Sequence, residues 1–234
     1  MRVFAISDLH LDETNSKPMN IFDDVWTGYK DEILKSAKAL KLKSDDVLIV
    51  AGDISWAMAL KDALIDIDFL SKFPCRVLIL RGNHDYWWGS ISAVREALPE
   101  NVHAIQNDAI KIGKYIFCGT RLWNPPEAGK KQKADDEKIY KREVIRLDLS
   151  IKAAQKLQTE NEQIVLITHY PPFNNKMEEN NEVLRMIKDA GIKIVIFGHL
   201  HGKHHNYKAI TEMDGIKYYL TSCDFLKNQI MQII

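Results

Sequence analysis

Residues 77–85 read VLILRGNHD, in which four apolar residues run directly into arginine, glycine, asparagine, histidine and aspartate. A short, continuous apolar run of this kind is typical of a strand that is buried on both faces of a sheet. Four further apolar runs end in the same way, in the polar motifs Asp8-Leu9-His10, Gly52-Asp53, His169 and Gly198-His199-Leu200-His201. Binding sites of open α/β sheets assemble at the carboxyl ends of the strands. We therefore expect the five motifs to meet at one edge of a sheet.

Apolar runs that read as strands recur along the whole chain, with helical patterns between some of them. The predicted strands are residues 3–6, 47–51, 77–80, 102–105, 115–118, 164–168, 194–197 and 217–221. Apolar residues at helical spacing predict one helix through Ile33, Ala37 and Leu40, a second over residues 135–158 and a third over residues 179–190. This alternation favours an α/β fold with a largely parallel sheet.

The middle of the chain, residues 101–119, departs from this alternation. Short apolar runs follow one another there, with Asn107-Asp108 and Gly113-Lys114 as turn signals, so hairpins are expected. A mixed sheet, or two stacked sheets, suits this region better than a uniform doubly wound sheet. Because the apolar strands on both sides of each long loop need one another to close a core, we predict one domain over residues 1–234.

The composition excludes several classes of protein. Of 234 residues, 46% are hydrophobic, and 32 Lys and Arg balance 32 Asp and Glu, which indicates neither a disordered chain nor a fibrous repeat. Zero net charge argues against general binding to nucleic acid or to an anionic membrane. No apolar run reaches the roughly 18 residues that a membrane-spanning helix needs. We expect no membrane partner, and the oligomeric state stays open.

Two further features concern the compartment. The apolar start of the chain is too short for a secretion signal, because polar Ser7 and Asp8 follow Ile6 at once. The three cysteines are far apart and each lies in or beside an apolar run, which indicates buried, reduced thiols. Together these features predict a cytoplasmic protein.

Seven side chains in the five motifs are candidate metal ligands: Asp8, His10, Asp53, Asn83, His169, His199 and His201. Any one of the histidines alone would more often be an ordinary hydrogen-bonded residue, but the repetition at strand ends favours a metal centre. The set exceeds what one ion with room for a substrate needs, whereas two ions sharing one carboxylate would each receive four protein donors. Mixed oxygen and nitrogen ligation suits Mn²⁺, Fe, Zn²⁺ or Co²⁺ and suits Ca²⁺ or Cu(I) poorly.

The order of these motifs, D-x-H, G-D, G-N-H-D, H and G-H-x-H, resembles that of the calcineurin-like metallophosphoesterase superfamily, with every motif position filled. The resemblance implies an α/β fold of two stacked mixed β-sheets flanked by helices, in four layers. It also implies one metal ion held by Asp8, His10, Asp53 and His201, and a second held by Asp53, Asn83, His169 and His199, with Asp53 bridging both.

The activity implied by this resemblance is hydrolysis of phosphate mono- or diesters. Two cations about 3.5–4 Å apart generate hydroxide from a water between them and neutralise phosphoryl oxygens during in-line attack. We interpret His84 as the residue that protonates the leaving group, and Asp85 as the carboxylate that orients its imidazole and raises its pKa. Mn²⁺ is the ion that we expect to support activity best.

The residues that select the substrate are less clearly marked. Trp56 and Trp87 could stack on a flat leaving group, or they could belong to the core beneath the site. Arg121 could reach the phosphate, or it could form an ordinary ion pair. His204 and His205 could line the rim, or they could be exposed loop residues.

Two absences narrow the substrate class. No Asp-Arg-Gly follows Gly52-Asp53, and the third motif ends in Asp85, which differs from the pattern of protein Ser/Thr phosphatases. The length leaves little room for the extra capping domain of related DNA-repair nucleases. Arg81 is not counted, since its side chain should alternate away from Gly82. A small-molecule phosphate ester, such as a nucleotide, is the expected substrate; the alternatives are a phosphoprotein or sugar-phosphate phosphatase and a metal-binding scaffold without catalysis.

Overall fold

The computed structural model describes residues 1–14, 16–127, 129, 133–159, 161–174, 181–202 and 207–234, and two β-sheets form its centre. The strands in chain order are β1 (Val3–Ile6), β2 (Val47–Val50), β3 (Arg76–Leu80), β4 (Val102–Ile105), β5 (Ala109–Ile112), β6 (Tyr115–Thr120), β7 (Gln163–Thr168), β8 (Ile194–Phe197), β9 (Ile210–Met213), β10 (Ile216–Leu220) and β11 (Met231–Gln232). The first sheet has the order β11-β1-β2-β3-β4, and the second has the order β5-β6-β7-β8-β10-β9. Strands β5, β9 and β11 pair antiparallel at the edges while the others are parallel, so both sheets are mixed.

Helices cover the outer face of each sheet. They are α1 (Tyr29–Ala39), α2 (Leu60–Ser71), α3 (Ile91–Ala97), α4 (Ala134–Leu157) and α5 (Glu182–Asp189), with short 3-10 helices at Met19–Ile21 and Asp24–Trp26. The first three pack against the first sheet through residues such as Ile33, Ile67 and Val94. The last two pack against the second sheet through residues such as Leu147 and Ile187.

The two sheets pack against each other through their inner faces. Successive strand residues point to opposite faces, so Val3 and Ala5 of β1 lie in the core between the sheets, together with Phe117 of β6. Phe4 and Ile6 of the same strand lie in the core beneath the helices. The order of layers is helices, sheet, sheet, helices, which confirms the predicted α/β/β/α sandwich.

The prediction of hairpins in residues 101–119 is correct for one of the two turns. Gly113-Lys114 joins β5 to β6 with Ile112 opposite Tyr115, and Gly113 has a positive φ of 57°, as a two-residue hairpin turn requires. Asn107-Asp108 closes no hairpin, because β4 pairs with β3 in the first sheet and β5 pairs with β6 in the second. Asn107-Asp108 therefore marks the point where the chain passes from the first sheet to the second.

The other predicted elements are present with small differences at their ends, and residues 179 and 180, where the third helix is predicted to begin, lie outside the described residues. Strands β1, β4 and β8 have the predicted bounds, and the remaining predicted strands differ by one or two residues. Helices α2 and α3 and the edge strands β9 and β11 are not among the predicted elements, and β5 is predicted only as the first strand of the hairpin at Gly113-Lys114. Cys75, Cys118 and Cys223 are free and buried, as the sequence predicts. Among the helices that the structure describes, none is both long and apolar enough to cross a bilayer.

Candidate metal centre

The candidate ligands follow the carboxyl ends of five strands, three in the first sheet and two in the second. The two sheets are joined at this edge by a hydrogen bond of 2.9 Å between His169 Nδ1 and the carbonyl oxygen of Ala51. The loops after β1 and β2 run side by side, since the amides of Asp8 and His10 donate to the carbonyl oxygens of Gly52 and Asp53. The motifs therefore meet at one edge, as predicted.

The backbone at this edge is strained. Four candidate ligands have positive φ angles: Asp8 (57°), His10 (44°), Asp53 (51°) and His199 (71°). Such left-handed conformations cost non-glycine residues on the order of 1–3 kcal/mol each and cluster at functional sites, where surrounding contacts hold them. The left-handed backbone at these four residues turns their side chains away from the strands and toward the centre.

The first group of donors comprises Asp8, His10, Asp53 and His201, which offer ligand atoms that all lie within 4.8 Å of one another. His10 Nε2 lies 3.1 Å from His201 Nε2 and 3.7 Å from Asp53 Oδ2. His201 Nε2 lies 3.6 Å from Asp8 Oδ1. Two imidazole nitrogens and two carboxylates thus face one point, and such a set can hold one cation.

The second group adjoins the first through Asp53. His169 Nε2 lies 2.8 Å from Asn83 Oδ1 and 3.4 Å from Asp53 Oδ2. The His199 ring lies beside it, with its centroid 5.1 Å from that of His169, and the His199 amide donates to the carboxylate of Asp8. The structure therefore brings all seven candidate ligands together, with Asp53 Oδ2 between the two groups.

Glycines allow the close approach of the loops. A Cβ at Gly52, whose φ is 95°, would lie 2.5 Å from His169 Nδ1. A Cβ at Gly82 would overlap the carboxylate of Asp53. Any larger residue at either position would push a candidate ligand out of place.

Partners behind the ligands fix their orientation. Asp8 Oδ2 accepts hydrogen bonds from the hydroxyls of Ser7 (2.5 Å) and Ser222 (2.9 Å). His201 Nδ1 lies 3.1 Å from Asp224 Oδ1, which leaves Nε2 facing the centre. Sequence reasoning missed Asp224, although it follows the end of β10 and the rule used for the other motifs could have found it.

Several polar atoms at the centre are buried without a hydrogen-bond partner among the described residues. They include His10 Nδ1, Asp53 Oδ2 and His84 Nδ1. Buried polar groups in proteins are nearly always satisfied, so an unpartnered carboxylate oxygen that faces imidazole nitrogens fits a cation ligand.

The electrostatics of the centre also fit a cation. Burial lowers the pKa of His10 and of His199 to about 3, so both rings are neutral, as metal ligands must be. Burial also disfavours a charge on His169, but the Asp53 carboxylate outweighs this and raises its pKa to about 9. For His201 the hydrogen bond to Asp224 and the nearby Asp8 likewise outweigh burial, and the pKa is about 9. Protons on these two rings balance the carboxylates when no cation is bound, and a bound cation would take the place of these protons.

The structure corrects the predicted role of Asp85. Its carboxylate accepts from the amides of Gly82 (2.7 Å) and Ile54 (2.8 Å) and from Trp87 Nε1 (3.0 Å), so it ties the loops after β2 and β3 together. His84 Nδ1 has no hydrogen-bond partner in the described part of the chain, and burial lowers the pKa of His84. Asp85 therefore neither orients the His84 ring through Nδ1 nor raises its pKa.

His84 itself lies at the mouth of the centre. Its amide donates to Asp53 Oδ1 over 2.8 Å, and its ring is half-buried between aromatic neighbours. The ring centroids of His84 and Trp56 are 4.6 Å apart, and Trp56 stacks on His10 at 4.6 Å. A cavity of about 410 Å³ opens here, lined by His10, Met19, Phe22, Trp26, Trp56, His84 and His201 among others. Sequence reasoning missed Trp26, which lies in a short 3-10 helix.

The two tryptophans named in the sequence analysis lie in different surroundings. Trp56 lines the cavity, but Trp87 is buried, with 3% of its surface exposed, and its ring nitrogen binds Asp85. Of the two alternatives that the sequence left open for Trp87, the structure therefore favours the core beneath the site. His204 and His205 lie outside the described residues.

Arg121 and Arg81 line a second cavity of about 310 Å³ at the same edge. Arg121 Nη2 lies 3.6 Å from a carboxylate oxygen of Glu143, and its guanidinium carbon lies 5.0 Å from the centre of the Trp123 ring. Arg81 lines this cavity, and none of the seven candidate ligands is among the cavity's lining residues.

Comparison with known proteins agrees with this geometry. The sequence profile of the calcineurin-like phosphoesterase family matches residues 1–203. The structure is similar to TT1561 of Thermus thermophilus, with a TM-score of 0.61 and 13% identity over 99% of this chain and 97% of that chain. It is similar to phosphopantetheinyl hydrolase from Mycobacterium tuberculosis, with a TM-score of 0.57 and 15% identity over 100% and 95% of the two chains.

A third similar structure is the calcineurin-like phosphoesterase YfkN from Bacillus subtilis, with a TM-score of 0.57 and 13% identity over 95% of this chain and 81% of that chain. Identities this low show a shared fold alone. The comparison with curated proteins gave no match. The profile match, however, covers most of the chain and includes all five motifs up to His201. The chain belongs to the calcineurin-like phosphoesterase family.

Proposed function

We propose that the protein is a phosphoesterase that uses two metal ions to hydrolyse a phosphate mono- or diester of a small molecule, such as a nucleotide. The observation that carries this proposal is the position of Asp53 Oδ2. This buried oxygen has no hydrogen-bond partner in the described part of the chain. It lies 3.7 Å from His10 Nε2 in one donor group and 3.4 Å from His169 Nε2 in the other, where a bridging ligand would have to be.

The two donor groups would hold the two cations, with Asp53 common to both. Asp8, His10 and His201 would complete the first set, and Asn83, His169 and His199 would complete the second. When bound, cations such as Mn²⁺, Fe, Zn²⁺ or Co²⁺ would supply an activated water and neutralise the phosphoryl oxygens. The chain itself fixes the ligands through Asp224, Ser222 and the strained loops.

His84 is the residue that we assign to the leaving group. The hydrogen bond from its amide to Asp53 fixes its position beside the donors. Burial lowers its pKa in the free protein, and the negative charge of a bound phosphate ester would favour the protonated ring that donates to the leaving group. A half-buried imidazole with an unpartnered nitrogen can deliver a proton to a leaving alkoxide. Asp85 supports this arrangement only through the backbone of the loops that it joins.

The cavity of about 410 Å³ next to His84 would receive the leaving group. Its walls include the rings of Trp26 and Trp56 and the side chains of Met19 and Phe22, and Phe22 is 70% exposed. Apolar and aromatic walls favour a flat or apolar group over a highly charged one. This supports a nucleoside-like alcohol as the leaving group.

A screen of phosphate esters with defined metals tests the proposal. We expect p-nitrophenyl phosphate, bis(p-nitrophenyl) phosphate or cyclic nucleotides to be hydrolysed with added Mn²⁺, and hydrolysis to stop after chelation with EDTA. A much faster rate on the monoester than on the diester would assign the enzyme to the phosphatases. Metal binding without turnover of any ester would contradict the proposal and favour a scaffold, and turnover that survives exhaustive chelation would exclude the metal mechanism.

A further inference from the structure

The second cavity, of about 310 Å³, is unusually rich in arginine. Its lining includes Arg81, Arg121, Arg142 and Arg146, which we call the arginine pocket. Arg81 follows β3 of the first sheet, Arg121 follows β6 of the second, and the other two project from α4. The pocket therefore lies where three separate elements meet, at the edge that also holds the metal centre.

The negative charge in the arginine pocket is smaller than the positive charge. Glu143 is the carboxylate among its lining residues, and it is already engaged. It pairs with Arg146 at 2.6 Å and Arg121 at 3.6 Å, and it accepts a hydrogen bond of 3.0 Å from the hydroxyl of Thr120. One carboxylate against four guanidinium groups leaves an excess of positive charge.

The remaining arginines, Arg81 and Arg142, form no ion pair with a carboxylate among the residues that the structure describes, although the charges of Asp85 and Glu143 act on Arg81. Arg81 Nε is buried and makes no hydrogen bond there, and neither Arg81 nor Arg142 takes part in a described ion pair. The buried carboxylate of Asp85, near Arg81 in sequence, is engaged by the backbone amides of Gly82 and Ile54. A buried guanidinium N–H without an acceptor is costly, so this site fits an anion from outside the chain.

The arginine pocket is linked directly to the candidate ligands. Arg81 is separated from Asn83 by one glycine. The carbonyl oxygen of Arg121 accepts hydrogen bonds from the amides of His169 (3.2 Å) and Tyr170 (2.9 Å). Both walls of the pocket are thus positioned by the same loops that position the metal ligands.

We propose that the arginine pocket binds a second phosphate group of the substrate while the ester to be cleaved lies at the metal centre. Guanidinium groups match phosphate oxygens through paired, charge-assisted hydrogen bonds. This inference rests on the proposed function and narrows it, because the substrate then carries at least two phosphate groups. The aromatic cavity and the arginine pocket would hold different parts of the same molecule.

A binding experiment on the metal-free protein tests the anion site without turnover. Isothermal titration with inorganic phosphate should give binding that is at least about ten-fold weaker in Arg81→Met and Arg142→Gln than in the wild type. Lys152→Gln removes the same charge from α4, where Lys152 pairs with Asp148 on the surface, and should bind like the wild type. Equal affinity in all four proteins would overturn the inference, and Arg142→Gln covers the possibility that the variant of the half-buried Arg81 does not fold.

A pair of matched esters tests the link to catalysis. With Mn²⁺ present, the wild type should favour a linear alkanediol bisphosphate over the corresponding alkyl monophosphate by at least about ten-fold in kcat/KM. In Arg81→Met and Arg142→Gln this ratio should fall toward one, while Lys152→Gln should keep it.

The outcomes separate the two proposals. The comparison is made with bisphosphates whose alkyl chains have four to six carbons. If the wild type hydrolyses both esters with no preference for any of these bisphosphates, the arginine pocket is not a substrate site, and the proposed function stays intact. Turnover of the p-nitrophenyl esters or cyclic nucleotides but of neither alkyl ester would overturn the substrate inference and leave the proposed function intact. Turnover of none of these esters would contradict the proposed function, and with it the substrate inference, while the phosphate titration would still show whether an anion binds.

Discussion

Two buried aspartates at opposite ends of the parallel strands differ in their hydrogen-bond partners. At the amino end, Asp46 is 2% exposed, and its carboxylate accepts from the Arg2 amide (2.9 Å), the Arg2 side chain (2.5 Å) and the Lys43 amide (3.0 Å). At the carboxyl end, Asp53 is 1% exposed, and its Oδ2 has no hydrogen-bond partner among the described residues. The exposed surface of the residue therefore does not distinguish the two groups.

The two aspartates differ in which groups compensate the buried carboxylate for its lost contact with water. The Asp46 carboxylate is satisfied by the chain itself, so its role is explained by the stability of the fold. The Asp53 carboxylate is surrounded by strained backbone and by imidazole nitrogens, which no stability argument explains. Residues that break the local rules in this way are expected at functional sites.

The largest expected effect is that of Asp53→Asn. Because one carboxylate serves both donor groups, we expect both cations to be lost together. Activity should then fall by at least about 10⁴-fold, which is the largest loss expected from removing a single general acid. Metal content per chain, measured by plasma emission spectrometry, checks this. Loss of only one ion would contradict the bridging role of Asp53. Unchanged activity would show that Asp53, like Asp46, contributes only to the stability of the fold.

The next effect in size is that of His84→Ala, which should slow turnover by about 10²–10⁴-fold while leaving metal content intact. His103→Ala is the matched control, since His103 lies on β4, outside the motifs, and should keep the wild-type rate. Steady-state kinetics on one ester with saturating Mn²⁺ gives both numbers. Wild-type activity in the His84 variant would refute its assignment to the leaving group.

Metal binding should raise the stability of the protein. At a hundred-fold excess over its Kd, one bound ion adds about 2.7 kcal/mol, which corresponds to a Tm increase of about 5–10 °C for a chain of this size. Differential scanning calorimetry with and without Mn²⁺ measures this shift. Asp46→Asn should show the same shift, whereas Asp53→Asn should show little or none.

The smallest effect concerns the amino end. Burial raises the pKa of Asp46, but the hydrogen bonds from Arg2 and Lys43 outweigh burial and lower it from 3.8 to about 2. A lowered carboxyl pKa stabilises the fold above about pH 4, and this contribution is lost as the pH falls through 2. Urea unfolding at neutral pH should show Asp46→Asn to be less stable by about 1.5 kcal/mol, since the Arg2 side chain is partly exposed. A difference that persists unchanged below pH 2 would contradict this assignment.

The sequence predicts the layout of the fold and the position of the metal centre for one physical reason. Strands that are buried on both faces appear as continuous apolar runs, and the residues that follow them come to one edge. Val77 to Leu80 lie in such a strand, and Asn83 follows it to the centre. Strand β9 alternates between exposed and partly buried residues, and β11 has only two residues. Neither strand therefore appears in the sequence as a continuous apolar run.

What the sequence does not predict are side-chain directions in the loops. Side chains in a loop do not follow the alternation of a strand, and Arg81 lines the arginine pocket. Asp85 engages backbone amides instead of the neighbouring imidazole, and Trp87 packs beneath it. These contacts depend on the crossing of two loops that are 31 residues apart in the chain. The single domain over residues 1–234 and the cytoplasmic location stay predictions.

The most direct test of the central claim is anomalous diffraction at the manganese edge from crystals soaked in Mn²⁺. The account predicts two peaks about 3.5–4 Å apart, with the carboxylate of Asp53 bound to both ions and the other six candidate ligands divided between them. A single peak, or peaks that do not contact Asp53, would contradict it.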